Sequence, residues 1–159
     1  MSESMNASTR RQGGVMYDKI VVGTDGSPTA LKAVQHAASL AAATGARLHI
    51  AMVTPSIPMV VAPDMLIASA EWTDATKQAT HTALESAAAT AAASGAEVSI
   101  HQLAGDPADA LLGLCEEIDA DLLVVGSRGM QGARRFLLGS VSSRCAHHAD
   151  RSVLIVHTD

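Results

Sequence analysis

A glycine-rich segment late in the chain carries the strongest chemical signal in the sequence. Gly126-Ser127-Arg128-Gly129 is followed by nine residues and then by Gly139-Ser140. Glycines let the backbone approach an anion without a Cβ clash, and consecutive N–H groups at a helix N-terminus donate to phosphate. The segment therefore indicates a phosphate cradle, to which the hydroxyls of Ser140 and Ser142 add donors. It has neither the Gly-Lys-Ser/Thr ending of a Walker A loop nor the GxGxxG spacing of a Rossmann fingerprint.

The same residues also fit a purely structural turn between a strand and a helix. We predict that helix over residues 132–149, which places Gly139 in its interior, where a glycine costs about 1 kcal/mol relative to alanine. Such a cost favours a functional reason for the glycine. Nucleotide binding and the structural turn stay open as two interpretations of this motif.

A second candidate segment, Gly23-Thr24-Asp25-Gly26-Ser27, follows the first apolar run of the chain. In doubly wound sheets, ligands bind outside the carboxyl ends of the strands, where the strand order reverses. The carboxylate of Asp25 repels phosphate, but it can accept hydrogen bonds from ribose hydroxyls or hold a Mg²⁺ ion that bridges to phosphate. A plain turn capped by Ser27 is the alternative, and it explains Ser27 better than Asp25.

Five short runs rich in β-branched residues alternate with helical stretches and predict the strands that hold these segments. The runs cover residues 19–23, 47–53, 97–103, 121–125 and 152–156. The first, fourth and fifth runs are almost continuously apolar, which is typical of parallel strands buried on both faces. The third run begins by alternating, which suits a sheet edge. This alternation of strands and helices predicts a doubly wound α/β fold.

Capping signals predict where the helices begin and end. Ser27-Pro28 begins the first helix and Gly45 ends it, and Asp106-Pro107 begins a later helix with the same signal. A long alanine-rich helix is predicted over residues 72–94. It follows a proline-containing loop over residues 55–70, which either covers a ligand or is a variable insertion.

Composition excludes several classes of function. The net charge is −5, and the sequence has no basic stripe. Its aromatic residues are three in number, Tyr17, Trp72 and Phe136, which is too few for a surface that stacks bases. Nucleic-acid binding is therefore not expected. No run of about 18 apolar residues predicts a membrane span. Residues 1–16 are polar and aperiodic, and we predict a disordered tail there before one domain over 17–159, with Met16 as an alternative start.

The remaining reactive side chains fit structural roles. Cys115 and Cys145 lie far apart in sequence without a CxxC motif, which indicates a reducing, cytoplasmic compartment and neither a disulfide framework nor a zinc site. His147 and His148 are adjacent and so do not share a helix face, and a helix C-terminus favours them there without a metal. We find no constellation for acid–base or nucleophilic catalysis.

The segments VVGTDGS and GSRGMQGARRFLLGSVSSRCAHHADRSVLIVH together resemble the universal stress protein family. The resemblance covers residues 17–158, and the second segment matches the family's Gly-x2-Gly-x9-Gly-Ser ATP-binding pattern without a gap. It implies a Rossmann-like, five-stranded parallel sheet of order 3-2-1-4-5 with helices on both faces. It also implies an adenine nucleotide between strands one and four and a homodimer formed through the strand at 152–157.

The resemblance also implies roles for individual residues. Thr24 and Asp25 correspond to positions near the ribose and a possible Mg²⁺, and Val53 corresponds to a backbone contact with adenine. The residues of the implied nucleotide site are Gly23, Thr24, Asp25, Val53, Val125, Gly126, Arg128, Gly129, Gly139, Ser140, Val141 and Ser142.

The expected function is regulatory binding of ATP, with an unidentified protein partner and no enzymatic activity. Cyclic AMP or AMP as the natural ligand is an alternative within the same class. A slow ATPase that uses Asp25 and a nucleotide-free interaction module are alternatives of other classes.

Overall fold

The computed structural model describes residues 16–56, 66–128 and 138–158, and these ranges form five strands and four helices. The strands are β1 (Lys19–Gly23), β2 (Arg47–Thr54), β3 (Glu97–Ala104), β4 (Leu122–Gly126) and β5 (Ser152–Val156). The helices are α1 (Pro28–Thr44), α2 (Leu66–Ala92), α3 (Pro107–Glu117) and α4 (Ser140–His148). The predicted tail up to residue 15, loop residues 57–65 and Gly129 lie outside the described residues.

The five strands form one parallel sheet of order β3-β2-β1-β4-β5, which confirms the predicted fold class and strand order. β3 lies at one edge, as its alternating pattern indicates, and β5 lies at the other. The order reverses between β1 and β4, since the chain proceeds from β1 toward one edge and later returns to β4 on the opposite side. The carboxyl ends of these two strands therefore flank the crevice where doubly wound folds bind ligands.

Side chains alternate between the two faces of the sheet, and each face is covered by two helices. Ile20, Val22 and Leu48 pack under α1 and α2. Val21 and Leu123 point to the opposite face and pack under α3 and α4. Both faces are buried, which explains why the central strands are continuously apolar. The α1 residues Ala33, Ala37, Ala38 and Ala41 are fully buried against the sheet, so the alanines supply the core with small side chains.

The predicted helix caps are confirmed. The Ser27 hydroxyl oxygen accepts the Ala30 amide at 3.2 Å, with Pro28 in the first turn, and Gly45 ends α1 at a φ of 74°. The Asp106 carboxylate accepts the Asp109 amide at 3.1 Å and begins α3. These contacts satisfy amides that a helix leaves without internal partners.

Two helices begin at other residues than predicted. α2 begins at Leu66 rather than Trp72, so the prediction of a loop over residues 55–70 is wrong for residues 66–70. The helix can begin there because Pro63 and the earlier prolines all precede it. Residues 138 and 139 are not helical and α4 begins at Ser140, so the prediction of a continuous helix from residue 132 is wrong at these two positions. Gly139 is the N-cap, with φ −61° and ψ 162°. The argument from a glycine inside a helix therefore fails, and residues 132–137 lie outside the described ranges.

Candidate nucleotide site

The carboxyl ends of β1, β2 and β4 bring the two predicted segments to the same edge of the sheet. Val22 pairs with Val124, and Gly23 pairs with Ala51. The Thr24 amide continues this pairing with a 2.9 Å hydrogen bond to the Ala51 carbonyl. The half-buried Thr24 thus lies beside the end of β2, where Val53 is also half-buried.

The turn after β1 is fixed by short-range hydrogen bonds. One Asp25 carboxylate oxygen accepts the Ser27 amide at 2.9 Å, and the Thr24 hydroxyl oxygen accepts the Gly26 amide at 3.2 Å. Gly26 has a φ of 81°, a conformation that favours glycine. Asp25 is exposed, and its second carboxylate oxygen has no partner among the described residues. The turn therefore holds one oxygen and leaves the other available to a ligand or cation.

Gly23 and Gly126 end the two strands that flank the crevice, and packing explains why both are small. A Cβ at Gly23 would lie 2.7 Å from Cδ1 of Leu111 in α3. A Cβ at Gly126 would lie 3.0 Å from Cγ2 of Thr158. Neither glycine has a positive φ, so close approach of neighbouring side chains, rather than backbone strain, restricts these two positions.

Ser127 closes the loop that follows β4. Its amide donates to the Val156 carbonyl at 2.8 Å, which extends the pairing with β5. Its carbonyl accepts the Gly139 amide at 2.8 Å and also the Ser142 hydroxyl at 3.3 Å. This buried serine thereby holds the end of β4 against Gly139, twelve residues later in the chain, and against the end of β5. Arg128, next to it, is half-buried, and Gly129 is outside the described residues.

The N-terminus of α4 carries amides without partners. The Gly139 amide is used by Ser127, and the helix has no side-chain cap. The amides of Ser140, Val141 and Ser142 have no hydrogen-bond partner among the described residues, since a helix cannot satisfy its own first N–H groups. Amides of this kind, together with the positive end of a helix dipole, are the groups that bind anions in other proteins.

The serine hydroxyls of α4 differ in their surroundings. Ser140 is exposed to solvent. Ser142 is 2 % exposed, and its hydroxyl lies 3.0 Å from the Gly139 carbonyl and 3.3 Å from the Ser127 carbonyl. The Ser142 side chain thus stabilises the loop from inside, whereas its amide has no partner among the described residues.

Sequence reasoning assigned no role to Ser127 beyond its place in the motif and none to Thr158. Both side chains are buried, at 4 % and 3 % exposure, and they contact each other at 3.3 Å. No local pattern indicates this contact, because the two residues are 31 positions apart. Two buried polar residues beside the glycines become apparent only when β5 is placed next to β4.

Other reactive side chains lie away from the crevice. His147 and His148 are exposed in the last turn of α4, where the helix dipole favours them. Cys115 and Cys145 are buried free thiols, and burial raises the pKa of Cys115 to about 11. Over the described ranges, no group of three His, Cys, Asp or Glu side chains is placed to hold a metal ion. No helix in these ranges has the length and apolar character that a membrane crossing requires.

Comparison with known proteins assigns this architecture to a family. The model of the universal stress protein family matches residues 16–157. A universal stress protein of Mycobacterium tuberculosis is 37 % identical over 148 residues, which cover 89 % of this chain and 97 % of that protein. The chain therefore belongs to the universal stress protein family.

Solved structures of the family share the fold. A crystal structure of a universal stress protein in complex with cAMP is 37 % identical, has a TM-score of 0.69 and covers 90 % of this chain and 98 % of its own. A universal stress protein family structure from Burkholderia pseudomallei is 29 % identical with a TM-score of 0.68, and covers 91 % of this chain and 98 % of that chain. These similarities agree with the observed sheet order and helix placement.

Proposed function

We propose that this chain is a regulatory protein that binds an adenine nucleotide between the carboxyl ends of β1 and β4, with ATP and Mg²⁺ as the first candidate. The observation that carries the proposal is the set of three amides at Ser140, Val141 and Ser142, which have no partner within residues 16–56, 66–128 and 138–158 and lie at the edge where the strand order reverses. The complex of a 37 % identical relative with cAMP supports the adenine nucleotide as the ligand class.

The two ends of the crevice suit different parts of the nucleotide. The α4 amides take the phosphates, because backbone donors bind phosphate even in a chain of net charge −5. The end of β2 at Val53 takes the base, and Thr24 lies near the ribose. The full proposed contact set is Gly23, Thr24, Asp25, Val53, Val125, Gly126, Arg128, Gly129, Gly139, Ser140, Val141 and Ser142.

Asp25 is the proposed Mg²⁺ ligand. Magnesium in nucleotide sites is held by one or two carboxylates together with phosphate oxygens and waters. The exposed carboxylate of Asp25 meets this requirement, since one oxygen is fixed by the Ser27 amide and the other has no partner among the described residues. Mg²⁺ would neutralise charge between Asp25 and the phosphates.

Cyclic AMP is the second candidate ligand, favoured by the relative that was crystallised with it. A cyclic monophosphate carries one negative charge and does not need Mg²⁺, whereas a triphosphate gains from it. Titration of the protein with ATP, AMP and cyclic AMP, each with and without Mg²⁺, distinguishes the candidates by whether the metal increases affinity.

Binding, rather than turnover, is the proposed activity, in the cytoplasm and toward a protein partner not yet identified. A ligand shifts a conformational equilibrium only by its difference in affinity for the two states. A slow ATPase needs a group that positions water, and Asp25 is the one candidate among the described crevice residues. Phosphate release that disappears in Asp25→Ala would replace this proposal with an enzymatic one.

The proposed oligomer is a homodimer formed through residues 152–157. β5 lies at a sheet edge, and its Val153, Leu154 and Ile155 side chains are only half-buried within one chain. An apolar edge strand is a position at which proteins associate. A two-fold pairing of β5 with β5 would cover this edge in both protomers. Sedimentation should give twice the 16.3 kDa chain mass.

The amides of α4 can be tested one at a time. Ser140→Pro removes one N–H at the first helical position, where proline is favoured, and Gly139 already has the extended ψ that a following proline requires. Ser140→Ala, the matched control, keeps the amide and loses the hydroxyl. We expect Ser140→Pro to weaken ATP binding about tenfold or more relative to Ser140→Ala, because a hydrogen bond to a charged group is lost.

Isothermal titration of purified, nucleotide-free protein measures this difference, and mass spectrometry of freshly purified protein identifies any ligand that copurifies. Equal ATP affinity in Ser140→Pro and Ser140→Ala would contradict the proposed phosphate position. Absence of binding of ATP, AMP and cyclic AMP by the unsubstituted protein would favour the nucleotide-free interaction module.

A further inference from the structure

A threonine that follows β5 is buried and is hydrogen-bonded to two other parts of the chain. Thr158 is 3 % exposed and lies two residues beyond the end of β5. Its amide donates to the Ser127 hydroxyl oxygen at 3.3 Å, and its own hydroxyl lies 3.3 Å from the same oxygen. Its carbonyl accepts the Lys32 ammonium group from α1 at 3.3 Å. Thr158 is therefore fixed on both its amide and its carbonyl side.

Ser127 connects this residue to the N-terminus of α4. The Ser127 side chain faces Thr158, while its carbonyl accepts the Gly139 amide at 2.8 Å. A shift of Ser127 would therefore move the residue that caps α4. The same shift would displace the amides of Ser140, Val141 and Ser142 that follow Gly139.

The methyl group of Thr158 restricts the other side of the loop. Its Cγ2 would lie 3.0 Å from a Cβ at Gly126, so it fills the space that the glycine leaves open. One side chain thus contacts the loop at two successive residues, with its hydroxyl at Ser127 and its methyl at Gly126. The polar contact is directional and orients Ser127, whereas the methyl group fills space beside Gly126.

We infer that Thr158 is a positioning residue for the phosphate end of the nucleotide site, acting through Ser127 on the α4 amides. This inference rests on the proposed function, since it names a residue that orders the same site without touching the ligand. It also links the site to the edge strand β5, because Thr158 follows that strand directly.

Two substitutions separate the hydroxyl from the methyl group. Thr158→Val keeps the shape and loses the hydroxyl, whereas Thr158→Ser keeps the hydroxyl and loses the methyl. Thr82→Val, the same change at an exposed position of α2, serves as the matched control. We expect Thr158→Val to raise the Kd for ATP about three- to tenfold, the effect of losing one hydrogen bond, and Thr158→Ser and Thr82→Val to stay within about twofold of the unsubstituted protein.

Amide hydrogen exchange in the unliganded protein supplies a readout that a merely structural role would not move. We expect exchange at Gly139 to accelerate at least about threefold in Thr158→Val, while amides in the middle of α1, such as Val34, keep their rates. Equal acceleration everywhere, or an unchanged rate at Gly139, would overturn the inference.

The affinity measurements separate the two proposals. If the unsubstituted protein binds ATP and Thr158→Val binds it equally well, the positioning role is wrong and the proposed function stands. If the unsubstituted protein binds none of the adenine nucleotides, both are wrong.

Discussion

Nδ1 of His49 lies 2.9 Å from Nε2 of His101, across the neighbouring strands β2 and β3. This hydrogen bond needs one donor and one acceptor, so it requires that at least one ring is neutral. His49 is 7 % exposed, and its Nε2 is buried without a partner among the described residues. Burial is the main cause that lowers the pKa of His49 to about 4, and the nearby His101, Arg47 and Lys19 contribute to the same shift.

The pair predicts that the protein loses stability in mild acid. The pKa of His101 is also lowered, mainly by burial and against the raising effect of Glu117. The unfolded chain, with ordinary histidine pKa values near 6.5, therefore binds more protons than the folded chain as the pH falls from there toward about 4. We expect His49 alone to reduce the free energy of unfolding by roughly 2 kcal/mol from about pH 7 to about pH 5.

Urea denaturation at the two pH values measures this loss. His49→Gln should remove most of the pH dependence, whereas His36→Gln, at an exposed position of α1, should leave it unchanged. Equal stability of the unsubstituted protein at both pH values would show that the histidine pair is not held neutral.

Ser142→Ala should lower the stability of the unliganded protein. The substitution removes a buried hydroxyl that lies within hydrogen-bond distance of the Ser127 and Gly139 carbonyls, and we expect a loss of about 1 kcal/mol in the free energy of unfolding. Ser140→Ala, at an exposed position two residues earlier, should be neutral within about 0.5 kcal/mol. Denaturation of unliganded protein compares the two, and equal stabilities would contradict the buried role of Ser142.

Gly23 and Leu111 should behave as a coupled pair. Gly23→Ala introduces a Cβ 2.7 Å from Leu111 Cδ1, and we expect a loss of about 1–3 kcal/mol in stability from overpacking. Leu111→Val withdraws the clashing methyl groups, so the double substitution should cost less than the sum of the single ones by about 0.5–2 kcal/mol.

Gly113→Ala is the control for this cycle. Gly113 is exposed in α3 with nothing within 4 Å of an added Cβ, so alanine should stabilise the helix by about 1 kcal/mol. If the losses in free energy of unfolding from Gly23→Ala and Leu111→Val add strictly in thermal or urea denaturation, the two residues are not coupled. The added Cβ would then be accommodated by movement of the backbone and not of the Leu111 side chain.

Both thiols should resist alkylation in the folded protein. Burial raises the pKa of Cys115 to about 11 and also raises the pKa of Cys145, so little reactive thiolate is present near neutral pH. For Cys115 the shift from 9.0 lowers the thiolate fraction roughly hundredfold, and restricted access lowers the rate further. Mass spectrometry after iodoacetamide treatment should show both cysteines modified in urea and neither without it; rapid labelling of native protein would contradict their buried positions.

Much of the fold could be predicted from the sequence. The limits of β1 at Lys19–Gly23 and of β5 at Ser152–Val156 are those of the apolar runs. The caps at Ser27 and Asp106 also follow from their own residues. Such features depend on side-chain patterns and hydrogen bonds within a few residues, and a single sequence contains that information.

The crevice could be predicted in part. The parallel order places Thr24 and Gly126 at the same edge, and the glycine motif marks the loop after β4. The state of Gly139 could not be predicted, because its place before α4 depends on the Ser127 carbonyl, twelve residues earlier along the chain. The pattern of the flanking residues extends the helix through it, although glycine has a low helix propensity.

The sequence by itself determined the strands, the helix caps and the family pattern, because each is set by neighbouring residues. Only the tertiary structure decided which polar groups form hydrogen bonds with distant residues. It assigned the Ser142 hydroxyl to the interior, joined Thr158 to Ser127 over 31 positions and joined His101 to His49 over 52. The physical reason is that a hydrogen bond between residues far apart in sequence forms only when the sheet places their strands side by side. No pattern of neighbouring residues shows which strands those will be.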